Sequence, residues 1–215
     1  MLVLSKHPTE WKSYPMMKDV FDKIVDNKTL IVDTLWSTFA EHKDNIDRWL
    51  AKEHHKVIVM NWWDEFSHSE TTFSFTPVQH WSKRGLFDRN KSLWGGWFMQ
   101  TKDLALYHAG DTGYSSDFKT TYERLGAPDY SFIPIGAYDP RWFMKDSHVN
   151  PEEAVQIALD LNSPHSFGMH WGTFTLTDEP VLEPPVRLKQ ALKDQNLAPN
   201  FFISPKPGEI LQLTK

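Results

Sequence analysis

The chain has 215 residues, 23 Lys plus Arg against 28 Asp plus Glu, a formal net charge of -5 and no cysteine. That length supports one sizeable core, and with no linker tract or charge block a single domain over 1–215 is expected. The near-balance of charge excludes a nucleic-acid partner held by electrostatics, and the missing thiols exclude disulfides, thiolate zinc and cysteine nucleophiles.

The N-terminal Met-Leu-Val-Leu run is too short for a signal peptide, and nowhere do about 18 apolar residues follow one another. A cytoplasmic protein, at most attached to a membrane surface, is expected. Residues 16–26 place Met17, Val20, Phe21 and Ile24 at helical spacing. Thr29–Val32 reads as a short buried strand, 35–52 as a second surface helix, and 56–60 as a β-branched run returning to the sheet. In Thr71–Thr76 aromatic and hydroxyl residues alternate, the period-two signal of a half-buried strand, and Pro77 stops it. Residues 78–84 form a polar loop, while 92–100 and 102–108 suit an antiparallel pair joined by a tight turn. A helix is expected over 115–125, a strand over 130–135 and a long loop over 136–148.

Asn150-Pro151-Glu152-Glu153 is a helix start, with a cap, a proline at the first helical position and a Glu able to close a capping box. That helix should reach about Leu161. A strand over 165–170, a helix opened by Pro184-Pro185 and running to about Asn196, and strands over 200–204 and 209–213 complete the pattern. Strands and helices alternate, so the fold class is α/β, with helices outside a mixed sheet.

Asp111 sits in Ala109-Gly110-Asp111-Thr112-Gly113, where an apolar run stops and leaves a carboxylate at the open end of a strand. Alone, that sequence also suits a tight turn. Two other residues share the situation: His80 just past a strand and His170 at the end of one. Ligands in α/β folds bind beyond the carboxyl ends of strands, so these three can converge although they lie far apart in sequence. Oxygen and imidazole nitrogen are the donors zinc accepts when no thiolate is available.

Several ordered segments carry more. Phe75-Thr76-Pro77-Val78-Gln79-His80-Trp81-Ser82-Lys83-Arg84, Leu93-Trp94-Gly95-Gly96-Trp97 and Ala109-Gly110-Asp111-Thr112-Gly113-Tyr114 come first. Ile133-Pro134-Ile135-Gly136-Ala137-Tyr138-Asp139-Pro140-Arg141-Trp142-Phe143-Met144, His148-Val149-Asn150-Pro151-Glu152-Glu153-Ala154 and His170-Trp171-Gly172-Thr173-Phe174 follow. Together they resemble the N-acylphosphatidylethanolamine-hydrolysing phospholipase D family of the metallo-β-lactamase superfamily, over roughly residues 56 to 210. The resemblance implies an αβ/βα sandwich, here N-terminally incomplete. The family's His-x-His-x-Asp-His motif has no match, since His7, His42, His54, His55 and His68 do not form that pattern.

By resemblance, His80, Asp111 and His170 are metal ligands to two zinc ions, with Asp111 bridging them and contributing to catalysis. His148 is implied near the metals as a catalytic residue, contacting phosphate or protonating the leaving group. Lys83 could meet the lipid phosphate, and Trp142 and Phe143 a lipid or membrane. The implied reaction is phosphodiester hydrolysis of N-acylphosphatidylethanolamine to N-acylethanolamine and phosphatidic acid. Its partners would be a phospholipid, a membrane surface, which for the family is the cytosolic face of internal membranes, and a second copy in a homodimer. Two alternatives stand beside it: a catalytically inactive remnant acting through partner binding, and another hydrolase of the same fold.

Overall fold

A computed structural model describes residues 29–32, 56–83 and 87–213. The helices expected over 16–26 and 35–52 lie outside the described residues, as does Arg84. The chain divides into two compact units, Met1–Asn61 with Ser82–Leu93, and Trp62–Trp81 with Trp94–Lys215.

In the first unit, β1 (Thr29–Val32) and β2 (Lys56–Val59) pair in parallel, Thr29 opposite Lys56 and Val32 opposite Val59. Both were expected as strands, and they form a two-stranded sheet of their own. The Ser82–Leu93 segment is closed on itself: Ser82 Oγ donates to Ser92 O at 2.6 Å, and Asn90 N donates to Ser82 O at 2.8 Å.

The second unit is built on a seven-stranded sheet in simple sequence order. Its strands are β3 (Glu65–His68), β4 (Thr71–Thr76), β5 (Gly96–Gln100), β6 (Ala105–His108), β7 (Tyr130–Pro134), β8 (Ser166–Met169) and β9 (Phe202–Ile203). From β3 to β6 neighbours are antiparallel; from β6 to β9 they are parallel. Parallel strands need crossovers, and these are helical. Helix α1 (Asp117–Leu125) links β6 to β7, the short α2 (Arg141–Met144) and α3 (Pro151–Asp160) link β7 to β8, and α4 (Glu183–Asp194) links β8 to β9.

Alternation along the strands supplies one core face. Ala105 and Tyr107 of β6 are buried, as are Phe98 of β5 and Ile133 of β7. Against them pack Phe118 of α1, Val155, Ile157 and Leu161 of and after α3, and Leu188 and Leu192 of α4, in one continuous apolar cluster. Burying such side chains is the main favourable term in folding, roughly 1.5–3 kcal/mol for each large one.

Three expectations need correction. Residues 209–213 form no strand; Glu209, Ile210 and Leu211 are exposed, and the sheet ends at the two-residue β9. Strand β3 falls where no strand was expected, and it forms because the Ser69-Glu70 turn folds Glu65–His68 back onto β4, Phe66 opposite Phe73. The 136–148 loop is interrupted by α2, whose first turn closes with Phe143 N and Met144 N donating to Pro140 O, each at 3.0 Å.

Candidate functional site

Strand direction decides where the candidate residues meet. Because β4 and β6 are each antiparallel to β5, they run the same way, and β7 and β8 run parallel to β6. Their carboxyl ends therefore share one lip of the sheet. His80 follows β4, Asp111 follows β6, the 136–148 segment leaves β7, and His170 follows β8.

Four of the predicted side chains are brought together there. The His148 ring lies between those of His80 and His170, with centroid distances of 5.3 Å and 5.5 Å. His170 Nε2 is 3.5 Å from the Asp111 carboxylate. His170 itself stands in the left-handed region at φ 61°, an uncommon state for a residue with a Cβ and one that concentrates at functional sites.

The histidine tautomers follow from their partners. His80 Nδ1 is 2.8 Å from the carbonyl oxygen of Trp81, and a carbonyl can only accept, so Nδ1 carries the proton and Nε2 presents a lone pair. Among the described residues that buried Nε2 has no hydrogen-bond partner, and neither has the buried His148 Nδ1. Burial lowers the His148 pKa to about 4; the Asp111 carboxylate opposes that shift, while His170 and His80 add to it. His148 is thus a neutral imidazole at neutral pH.

The loops carrying these groups are held by backbone contacts. Gly110 takes φ 67°, as a tight turn after β6 requires, and its N–H donates to His108 Nδ1 at 3.1 Å. Gly113 is needed for a different reason: a Cβ there would sit 2.8 Å from the Asp146 carbonyl, so the 144–148 segment lies directly against it. Arg141 fixes the backbone at His148, with Nη1 donating to His148 O at 2.7 Å and Nη2 reaching Glu153 Oε2 at 2.7 Å. Glu153 in turn closes the Asn150 capping box of α3.

Other candidates make none of these contacts. Trp142 and Phe143 are 85% and 68% exposed, their rings 5.7 Å apart on α2. Lys83 is exposed and belongs to the first unit. Sequence reasoning missed Glu179, a buried carboxylate that accepts N–H bonds from Ala137 at 2.6 Å and Asp139 at 3.1 Å. Burial works to raise its pKa, but the hydrogen bonds from Thr177, Asp139, its own backbone and Ala137 outweigh it and hold the carboxyl below its ordinary value. A small cavity beside His170 is lined by Glu179, Ala137, Trp171 and Phe174. Nothing local in Thr177-Asp178-Glu179-Pro180 signals this role.

Comparison with known proteins places the chain. The model of the beta-lactamase superfamily domain matches residues 21–171. The chain belongs to the beta-lactamase superfamily. Within it, "N-acyl-phosphatidylethanolamine-hydrolyzing phospholipase D 1" of Caenorhabditis elegans is 40% identical over 161 residues, covering 72% of this chain and 45% of that one. The mitochondrial "N-acyl-phosphatidylethanolamine-hydrolyzing phospholipase D" of Saccharomyces cerevisiae is 39% identical over 140 residues, covering 62% and 30%. This superfamily member therefore spans less than half the length of those relatives, and the family resemblance read from its motifs is borne out.

Among solved structures, Igni18, a metallo hydrolase of Ignicoccus hospitalis, superposes with a TM-score of 0.57 at 20% identity, covering 93% of this chain and 86% of that one. The metallo-beta-lactamase fold protein YhfI of Bacillus subtilis does so at 0.53 and 16%, covering 80% and 63%. These likenesses bear out the metallo-β-lactamase fold and the α/β class.

Proposed function

We propose that this chain supplies part of the site of a zinc-dependent phosphodiesterase of phospholipase D type, hydrolysing N-acylphosphatidylethanolamine to N-acylethanolamine and phosphatidic acid. The observation that carries the reading is the likeness, 40% over 161 residues, to a relative named for that reaction. The gathering of His80, Asp111, His148 and His170 at one lip supports it.

The donor set fits a metal in kind. Imidazole nitrogen and carboxylate oxygen are zinc's ligands in a thiol-free chain, and His80 Nε2 offers a buried lone pair with no other partner. In number it falls short: among the described residues no three His, Asp or Glu side chains could hold a metal ion. His80, Asp111 and His170 are therefore assigned a share of a ligand shell and not the whole of it. Divalent ions held there would supply an acidified water and offset phosphoryl charge.

The chain's own residues do the rest. His148 lies between His80 and His170, and we keep both of its expected roles, contacting a phosphoryl oxygen or protonating the leaving group. Trp142 and Phe143 offer apolar area to the lipid, at roughly 0.8 kcal/mol per methylene covered. Lys83 stays our candidate for the lipid phosphate. The partner in this reading is a phospholipid at a membrane surface; among the described residues no helix is long and apolar enough to cross one.

The shortfall in donors favours one second reading, a non-catalytic chain acting through partner binding. Purified chain supplied with zinc and vesicles of N-acylphosphatidylethanolamine separates the two. Release of N-acylethanolamine that is abolished in Asp111→Ala and His170→Ala supports the phosphodiesterase. Zinc content below one equivalent together with no release overturns it for this chain and leaves the second reading.

A further inference from the structure

Three of the four clustered side chains stand next in sequence to Thr112 or to a residue that bonds to it. Gln79 precedes His80, Thr112 follows Asp111, and Val149 follows His148. The Thr112 side chain is fully buried. Its hydroxyl accepts from Gln79 N at 3.1 Å and donates to Gly113 O at 2.6 Å. Gly113 N donates back to Gln79 O at 2.7 Å, and Val149 N donates to Thr112 O at 2.8 Å. Gln79 and Gly113 form an isolated antiparallel bridge that lies outside every strand of the sheet.

We propose that Thr112 is a positioning residue, which sets the spacing of His80, Asp111 and His148 by cross-linking the three loops that carry them. The inference rests on the reading that those residues form the site. Its physical basis is that among the described residues the two histidine rings do not bond to each other, His80 Nε2 and His148 Nδ1 being buried without partners, so that their loops are joined only beneath them, by the contacts of Thr112 and by Gln79 Nε2 donating to Asp146 O at 3.2 Å. The separation of the two rings is therefore inherited from the backbone beneath them. A valine has the shape of Thr112 but neither accepts from Gln79 N nor donates to Gly113 O, and buried groups left unpaired in this way pull a loop out of place or cost the full desolvation penalty. Displacements of about 1 Å are enough to cost a site most of its function.

The test compares Thr112→Val with Thr112→Ser in the full chain, by amide exchange and by the ring signals of the histidines, with His68 and His165 as internal references. In Thr112→Val the Gln79 amide should exchange about tenfold faster, the scale of one lost hydrogen bond. The ring signal of His80 should shift, and that of His148 with it through their 5.3 Å ring contact, while those of His68 and His165 stay. Thr112→Ser, which keeps the hydroxyl, should match the parent chain in every one of these readouts. Unmoved His80 and His148 signals in the valine variant, or a serine variant that shifts them as far as valine does, would overturn the proposal. If valine prevents folding, the serine variant decides, since loss of the parent signals there overturns the idea and their retention supports it. None of these readouts involves hydrolysis, so a chain that releases no N-acylethanolamine would sink the proposed function and leave this test standing.

Discussion

His108 shows how a single buried side chain ties stability to pH. Burial lowers its pKa from 6.5 to about 4, and its Nδ1 is already occupied as the acceptor for Gly110 N–H. Between those two values the unfolded chain binds a proton that the folded chain does not, so folding weakens as pH falls. The contribution is complete above pH 6.5 and shrinks on acidification toward 4, by up to about 2 kcal/mol between pH 6.5 and 5 at about 1.4 kcal/mol per unit. Melting temperature should drop over that range, and His108→Asn, which keeps an acceptor but does not titrate, should flatten the dependence. Gly113 makes a prediction of a different kind. Its absent Cβ leaves room for the Asp146 carbonyl, so Gly113→Ala should destabilise by about 1–3 kcal/mol in urea unfolding.

The third helix was the most legible piece of the chain, because its start is written in four consecutive residues. Asn150 Oδ1 accepts from Glu153 N at 2.9 Å, Glu153 Oε2 accepts from Asn150 N at 3.3 Å, and Pro151 takes the first turn. Asn150→Ala should cost about 1 kcal/mol in thermal or urea unfolding. The same Glu153 also receives Arg141, so the helix start and the His148 backbone are anchored by one carboxylate, which no local pattern reveals. Short elements were legible where a period and a stop coincide, as in Thr71–Thr76 before Pro77. They were illegible where only a neighbour decides: Glu65–His68 has too little apolar character to read as a strand until it pairs with β4. Residues 209–213 are apolar at Ile210, Leu211 and Leu213, but among the described residues they pair with no strand.

His80, Asp111 and His170 could be picked out because each follows a strand that alternation makes visible. Their meeting could not be derived from spacing alone, since it depends on strand order and direction, and the motif resemblance supplied that link. Glu179 was missed for the same reason, its partners Ala137 and Asp139 lying 42 and 40 residues away. At this level the exposed pair on α2 makes the clearest prediction. Trp142→Ser with Phe143→Ser should leave the melting temperature unchanged, because both rings face solvent. Partitioning of the chain onto phospholipid vesicles, read by sedimentation, should weaken by roughly tenfold or more, given the apolar area removed.

The unequal roles of the two lips of the seven-stranded sheet bear on how this protein tolerates changes in chain length. An extra residue at the Ser69-Glu70 or Lys102-Asp103 turn alters one hairpin and leaves everything else in register. One inserted between Asp111 and Gly113 would displace the bonds to Gln79 and Val149 together, and three loops would lose their alignment at a stroke. Gene variants that lengthen the chain should therefore accumulate at those hairpin tips and be absent from that tripeptide.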